Sequence, residues 1–248
     1  MILPLIVLFT LLGSICSVGL AALLLLLKGE RLRIVTGGMI PYAIGTLLSA
    51  AFFGMIPHAL LRLASTSVLP TVLSGIILFY VLEKFALWRH CHEQPCDVHT
   101  RAGTMILIGD SLHNFVDGVA IAAAFAGSVP LGIATSVAVI AHEVPQEVGD
   151  FAILLESGYS RTRALLFNAL SSLTALLGAV MTYFLLPFVQ WLVPYLLSVS
   201  AASFIYIALA DLVPGRRATG GLRNLVWELP LIALGIGTIA VLQLNAVR

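Results

Sequence analysis

The chain alternates long apolar stretches with short polar breaks, and the apolar stretches have the length of a bilayer. Runs near 3–27, 38–61, 68–89, 103–126, 131–155, 163–186, 190–213 and 228–246 are each long enough to cross about 30 Å of hydrocarbon as an α-helix. The pattern predicts an all-α integral membrane protein with eight transmembrane helices, forming a single transmembrane domain over 1–248. The first run has no positive charge before it and exceeds the length of a signal-peptide core, so residues 2–27 are expected to be a retained helix.

Two runs break the apolar rule. DSLHNFVDGVAIAAAF and VAVIAHEVPQEVGDFAIL bring Asp110, His113, Asn114, Asp117, His142, Glu143, Gln146, Glu147 and Asp150 into membrane depth. A central carboxylate costs roughly 2.5–3.5 kcal/mol to insert, so something must compensate these five. Helical residues three, four and seven apart share a face, so Asp110, His113, Asn114 and Asp117 form one polar stripe. Glu143, Glu147 and Asp150 form a second, flanked by His142 and Gln146. The short uncharged loop Gly127-Ser128-Val129-Pro130 makes the two segments an antiparallel hairpin. With the turn centred near Val129, His113 to Asp117 lie level with Ala141 to Pro145, and the stripes meet near mid-membrane. Oxygen and imidazole ligands without thiolate suit Zn²⁺, Fe²⁺ or Mn²⁺ better than Cu(I). Pro145 is expected to kink its helix and free the Ala141 carbonyl beside them. The competing reading is that the residues pair with one another as structural polar glue.

Composition narrows the class further. The chain is 60% hydrophobic and 10% charged, with a mean hydropathy of +1.05, which a water-soluble domain of this length does not show. A net charge of +1 provides no basic surface, so no nucleic-acid partner is expected. Cys16, Cys91 and Cys96 are too few for a disulfide framework. Eleven of the thirteen Lys and Arg fall in alternate loops, at Lys28, Arg31, Arg33, Lys84, Arg89, Arg101, Arg161, Arg163, Arg216, Arg217 and Arg223. The positive-inside rule makes those loops cytoplasmic and places both termini on the other side.

Several residues stand outside the two stripes. His58 follows Pro57, which should kink the second helix and expose the Phe53 carbonyl; the histidine reads as an entrance ligand or as an interfacial hydrogen-bonded residue. Asp211 and Pro214 sit at the cytoplasmic mouth of the seventh run, whose IALADLVPG faintly echoes the second run, as an inverted repeat would. The cytoplasmic loop 90–101 holds His90, Cys91, His92, Cys96 and His99, a tract that reads as loose metal capture or as a solvated loop. Asn168 reads as a path-lining residue or as a hydrogen bond between helices.

At these residues the chain resembles the ZIP family of zinc and iron transporters. HNFVDG matches the family's HNFxDG, and HEVPQEVGD matches the HExPHExGD form of one large subfamily. The resemblance implies a ZIP-like bundle in which helices 1–3 and 6–8 are inverted repeats around helices 4 and 5. It implies a mid-membrane site, often for two metals, with ligands at His113, Asn114, Asp117, His142, Glu143 and Gln146, joined by Glu147 from the same stripe. Asp110, Asp150, His58, Asn168 and Asp211 would line or support the pathway. The expected function is movement of a divalent metal, zinc first and also iron or manganese, into the cytoplasm by alternating access. The metal is cargo and no catalytic cofactor is expected. A plasma (inner) membrane location is implied, and homodimer formation stays open.

The chain departs from the family pattern at Gln146, where the subfamily has histidine, and at Ala50 and Gly54, where the family's second helix often carries polar residues. Two alternatives belong to other classes. A passive cation channel would need a continuous pore, which dense ligands disfavour. An intramembrane metalloprotease would need His-Glu-x-x-His, whereas this chain reads His142-Glu143-Val144-Pro145-Gln146.

Overall fold

The structure, a computed structural model, describes residues 2–27, 30–91, 98–213 and 225–244, and these contain helices and turns but no strand. Among the described residues the helices gather into eight rods. They are α1 (Leu3–Leu24), α2 (Glu30–Ser49, continued by Ala50–Met55 and Ile56–Leu60), α3 (Ser65–Cys91), α4 (Val98–Gly127) and α5 (Val129–Glu156). Then come α6 (Arg161–Ser172 and Thr174–Leu185), α7 (Gln190–Leu192, Val193–Tyr206 and Ile207–Leu212) and α8 (Leu225–Leu244). Six of the rods, all but α4 and α5, are long and apolar enough to cross a membrane on length and composition alone. The other two are the rods loaded with His, Asp and Glu. Leucines such as Leu8, Leu69, Leu73 and Leu78 face outward, and Phe188, Trp191 and Trp227 are exposed near rod ends, where amphipathic rings favour the membrane interface.

Rod boundaries follow local chemistry more than hydropathy. The second rod starts at Glu30, well before the apolar run, because its polar first turn is still helical. The expected four-residue turn between α4 and α5 shrinks to Ser128 alone. Ser128 is the N-cap of α5, its hydroxyl accepting from Leu131 N at 3.2 Å. Pro130 follows in the first turn, where a missing N–H costs nothing. Beyond α5, Gly158 takes φ +88°. Gly158 N donates to Leu155 O and Tyr159 N to Leu154 O, a Schellman closure that only glycine enters without strain.

The prolines act in two ways. In α2 the segment Ala50–Met55 is π-helical and ends two residues before Pro57. In α7 the segment Ile207–Leu212 is also π-helical and ends two residues before Pro214 of the sequence. At Pro57 the missing N–H and the crowding of the preceding turn are relieved by widening to an i→i+5 pattern. Pro145, by contrast, lies inside the uninterrupted α-helix of α5.

Two glycine seams divide the rods into two bundles. A Cβ on Gly118 of α4 would strike the Ala175 carbonyl of α6, and one on Gly178 of α6 would strike the Phe115 carbonyl of α4. Likewise Gly45 of α2 abuts the Ile232 carbonyl of α8, and Gly235 of α8 abuts the Tyr42 carbonyl of α2. Such backbone-to-backbone approach is how small residues hold membrane helices together. Rod α1 packs along α5 and α6, and α3 along α7. Hydrogen bonds tie the same groupings. Ser14 donates to Ser172 O (2.8 Å), Thr174 to Ser111 O (2.6 Å) and Asn168 to Glu147 O (3.3 Å) within α1/α4/α5/α6. Tyr42 donates to Thr238 (3.4 Å) and Ser49 to Ile236 O (3.2 Å) within α2/α3/α7/α8. The bundles meet where α5 lies on α2 and α4 on α7, across a core rich in buried alanine such as Ala50, Ala51, Ala134, Ala138, Ala201 and Ala202.

Candidate metal centre

Because Ser128 alone forms the turn, residues whose numbers sum to about 256 lie level on α4 and α5, within two residues of the register read from the sequence. His113 and His142 accordingly face each other, with their Nε2 atoms 3.1 Å apart. His142 is fully buried, and its Nδ1 lies 3.0 Å from the Ala138 carbonyl. A carbonyl can only accept, so Nδ1 carries a proton and donates to it, which fixes the ring with Nε2 turned to the interior. That nitrogen lies 3.2 Å from Asp117 Oδ2 and 3.5 Å from Glu143 Oε1. His113 Nε2 lies 3.7 Å from Asp117 Oδ2 and 3.3 Å from Glu143 Oε1. The Phe204 ring of α7 closes the far side of His142 at 6.0 Å between centroids.

These five separations have a direct metrical meaning. A tetrahedral Zn²⁺ with bonds of about 2.0–2.1 Å to nitrogen and oxygen needs ligand atoms about 3.3–3.4 Å apart. The observed values, 3.1 to 3.7 Å, straddle that edge. Mutual pairing, the polar-glue alternative, uses the same atoms, because the four His–carboxylate separations are also those of ion pairs when an imidazole is protonated. Both carboxylate oxygens of Asp117 and both of Glu143 are buried and make no hydrogen bond, so positive charge among them, a bound divalent cation or an imidazolium, is what stabilises them.

Asp110, Glu143 and Glu147 form a second group whose ligand atoms lie within 4.8 Å of one another. Glu143 belongs to both groups. Asn114 uses its Nδ2 on Asp110, at 2.8 Å to Oδ1 and 3.2 Å to the carbonyl, so it fixes Asp110 with the amide that faces it. Asp110 Oδ2, both Glu147 oxygens, Gln146 Oε1 and Asn168 Oδ1 are buried acceptors without donors. Gln146 stands one turn beyond His142 on the same helix face. Asp150 is half-buried on the same rod.

The remaining sequence-derived residues lie elsewhere. His58 is at the turn end of the hairpin, about 20 Å of helix rise from His142, with Nδ1 2.9 Å from Gly54 O and Nε2 3.3 Å from Ser128 Oγ. Asp211 is on the π-helical backbone of α7, and its side chain lies outside the described part. The loop 90–101 is shorter than expected, since α3 runs to Cys91 and α4 begins at Val98. His92 and Cys96 lie outside the described residues, as do the side chains of His90, Cys91 and His99. Two features escaped the sequence reading. One is the capping role of Ser128, signalled by Ser before Val-Pro at a helix start. The other is Gln243 of α8, whose amide occupies the place a side chain at Gly54 would fill.

These features define a multi-pass helical membrane protein whose polar residues converge on a buried acid–imidazole cluster suited to a divalent cation. Residues 88–243, more than half of the chain, match the family model described as ZIP zinc transporter, and the chain belongs to that family. It is 44% identical over 110 residues to the human zinc transporter ZIP6, covering 44% of this chain and 15% of that protein. To human zinc transporter ZIP10 it is 40% identical over 139 residues, covering 51% and 17%. To human zinc transporter ZIP4 the identity is 46% over 110 residues, covering 44% and 17%. The matched part is therefore less than one fifth of the length of these relatives.

Proposed function

We propose that the chain moves divalent metal, Zn²⁺ first, across a membrane into the cytoplasm, as a single transmembrane transporter domain of eight spans and not as an enzyme. The observation that carries this reading is the set of near-tetrahedral separations among His113, Asp117, His142 and Glu143, lined by carboxylate oxygens that have no donor. Glu143, common to both ligand groups, bridges a two-metal site with Asp110 and Glu147 on the second ion. Iron and manganese are further cargoes, because the donor set is oxygen and nitrogen. The names of the relatives point the same way.

The mechanism we favour is alternating access, with α1 and α6 travelling with α4 and α5. The glycine seam and the hydrogen bonds within that bundle support its motion as one body, and the alanine-rich face against α2 and α7 offers little corrugation to resist sliding. The matched π segments of α2 and α7 support an inverted-repeat relation between helices 1–3 and 6–8. The distribution of Lys and Arg supports termini on the non-cytoplasmic side. The 90–101 tract modulates capture rather than transport, so replacing Cys91, His92 and Cys96 together should change apparent affinity and leave flux measurable.

Zinc uptake into proteoliposomes containing the full chain, with and without a pH gradient, tests the reading. Saturable uptake above empty vesicles is expected. Absence of Zn²⁺, Fe²⁺ and Mn²⁺ flux under every gradient tried would overturn it.

A further inference from the structure

His58 is tied at both ring nitrogens, and the partners settle its tautomer. Gly54 O can only accept, so Nδ1 carries the proton and donates across 2.9 Å. Nε2 is then an acceptor. Ser128 Oγ already accepts from Leu131 N, which leaves its own hydroxyl proton to donate to Nε2 across 3.3 Å. A chain of bonds thus runs from the π segment of α2, through the imidazole, to the capping hydroxyl that starts α5.

Its position makes it unlike the other inter-helix bonds described above. The Ser14, Thr174 and Asn168 bonds and the His113–His142 contact lie within α1/α4/α5/α6; the Tyr42 and Ser49 bonds lie within α2/α3/α7/α8. The His58–Ser128 bond crosses from one bundle to the other. It does so at the turn end, where the hairpin is sealed. Residues 120–125 of α4 are all buried, as are Leu131, Ala134, Thr135, Ser136 and Ala138 of α5. The seal is also fitted at Gly54, where Leu131 Cδ1 of α5 lies 2.9 Å from the place of a Cβ.

We infer that His58 is a positioning residue, a latch that holds the α1/α4/α5/α6 bundle against α2 in the conformation closed at the hairpin turn. The inference rests on the two-bundle reading of transport. It assigns His58 no contact with the metal: its nitrogens are committed to Gly54 and Ser128, and it lies about 20 Å along the helix from the ligand cluster. Releasing the Ser128 bond removes a polar contact between the bundles and shifts the balance toward separation at this end.

The test needs no transport. In the full chain with Cys16, Cys91 and Cys96 replaced by Ser, Ala134→Cys places a thiol on α5, one helical turn from Leu131. The rate at which N-ethylmaleimide modifies the detergent-solubilised protein reads how often the seal opens. His58→Leu and Ser128→Gly should each raise that rate roughly two- to tenfold, the size expected for one net hydrogen bond. Glycine retains most of the capping function, so Ser128→Gly decides the matter alone if His58→Leu is not recovered monodisperse. The double variant should label no faster than the faster single variant, because both remove the same bond. Unchanged rates, or effects that multiply, overturn the latch. Failure of Zn²⁺ uptake by the wild type would remove the transport reading and leave the labelling result standing.

Discussion

The two ends of the α4–α5 hairpin are built from opposite materials. Toward the turn, the helices present Ala120, Ala122, Ala123, Ala124, Ala134 and Ala138, fully buried and packed against other rods. About one to two and a half turns further from the turn, the same helices present Asp117, His142, Glu143 and Glu147, equally buried but with carboxylate oxygens that make no hydrogen bond. Burial is the same at both ends, so burial alone does not separate structure from function here. The difference is satisfaction: the alanine end is complete as it stands, whereas the acidic end holds carboxylate oxygens that call for positive charge, from an imidazolium or a bound cation.

The contrast breaks most severely where the carboxylates are removed. Asp117→Ala or Glu143→Ala should lower Zn²⁺ uptake by about a hundredfold or more, since losing a direct ligand exceeds the ten- to hundredfold cost of losing a ligand's supporting partner. Insertion should survive, because a buried anion is itself a cost to the membrane. The measurement is uptake normalised to monodisperse protein. Uptake at wild-type levels in both variants would mean that the cluster holds no cargo.

A smaller and purely structural break is expected in the seam behind the site. Gly118→Ala puts a methyl group against the Ala175 carbonyl, where backbone and not a flexible side chain must yield. Gly149→Ala, on the neighbouring rod, meets nothing within 4 Å. The first should cost about 1–3 kcal/mol and reduce the yield of folded protein several-fold. The second should be neutral or stabilise α5 by up to about 1 kcal/mol, the difference in helix propensity. Thermal unfolding in detergent distinguishes them, and equal behaviour would count against the seam.

Much of this was legible in the chain, for identifiable reasons. Helical periodicity placed Asp117 and Glu143 on facing stripes, and a short uncharged turn fixed their register, because antiparallel helices allow little freedom once the turn is set. The divided packing was not legible, since Gly118, Gly178, Gly45 and Gly235 have no polar signature and only their neighbours reveal the close approach. Nor was the outcome at the prolines. Pro57 and Pro145 look alike in sequence, yet one accompanies a π segment and the other sits within a continuous α-helix.

The smallest predicted effect concerns Gln146, where the chain departs from HExPHExGD. Its Oε1 is buried without a donor, one turn beyond His142, so the position lies on the ligand face and an amide oxygen is what it offers. An amide oxygen is a harder and weaker ligand than imidazole. With His113 and His142 still supplying nitrogen, the site should accept zinc while discriminating less sharply against manganese. Gln146→His should raise the preference for Zn²⁺ over Mn²⁺ several-fold, roughly five- to tenfold, because a third imidazole favours the metal higher in the affinity order. Competition of Mn²⁺ against Zn²⁺ uptake, compared between wild type and variant, measures the ratio. If the ratio does not move, Gln146 is outside the coordination sphere, and the four-ligand set of His113, Asp117, His142 and Glu143 determines metal choice without it.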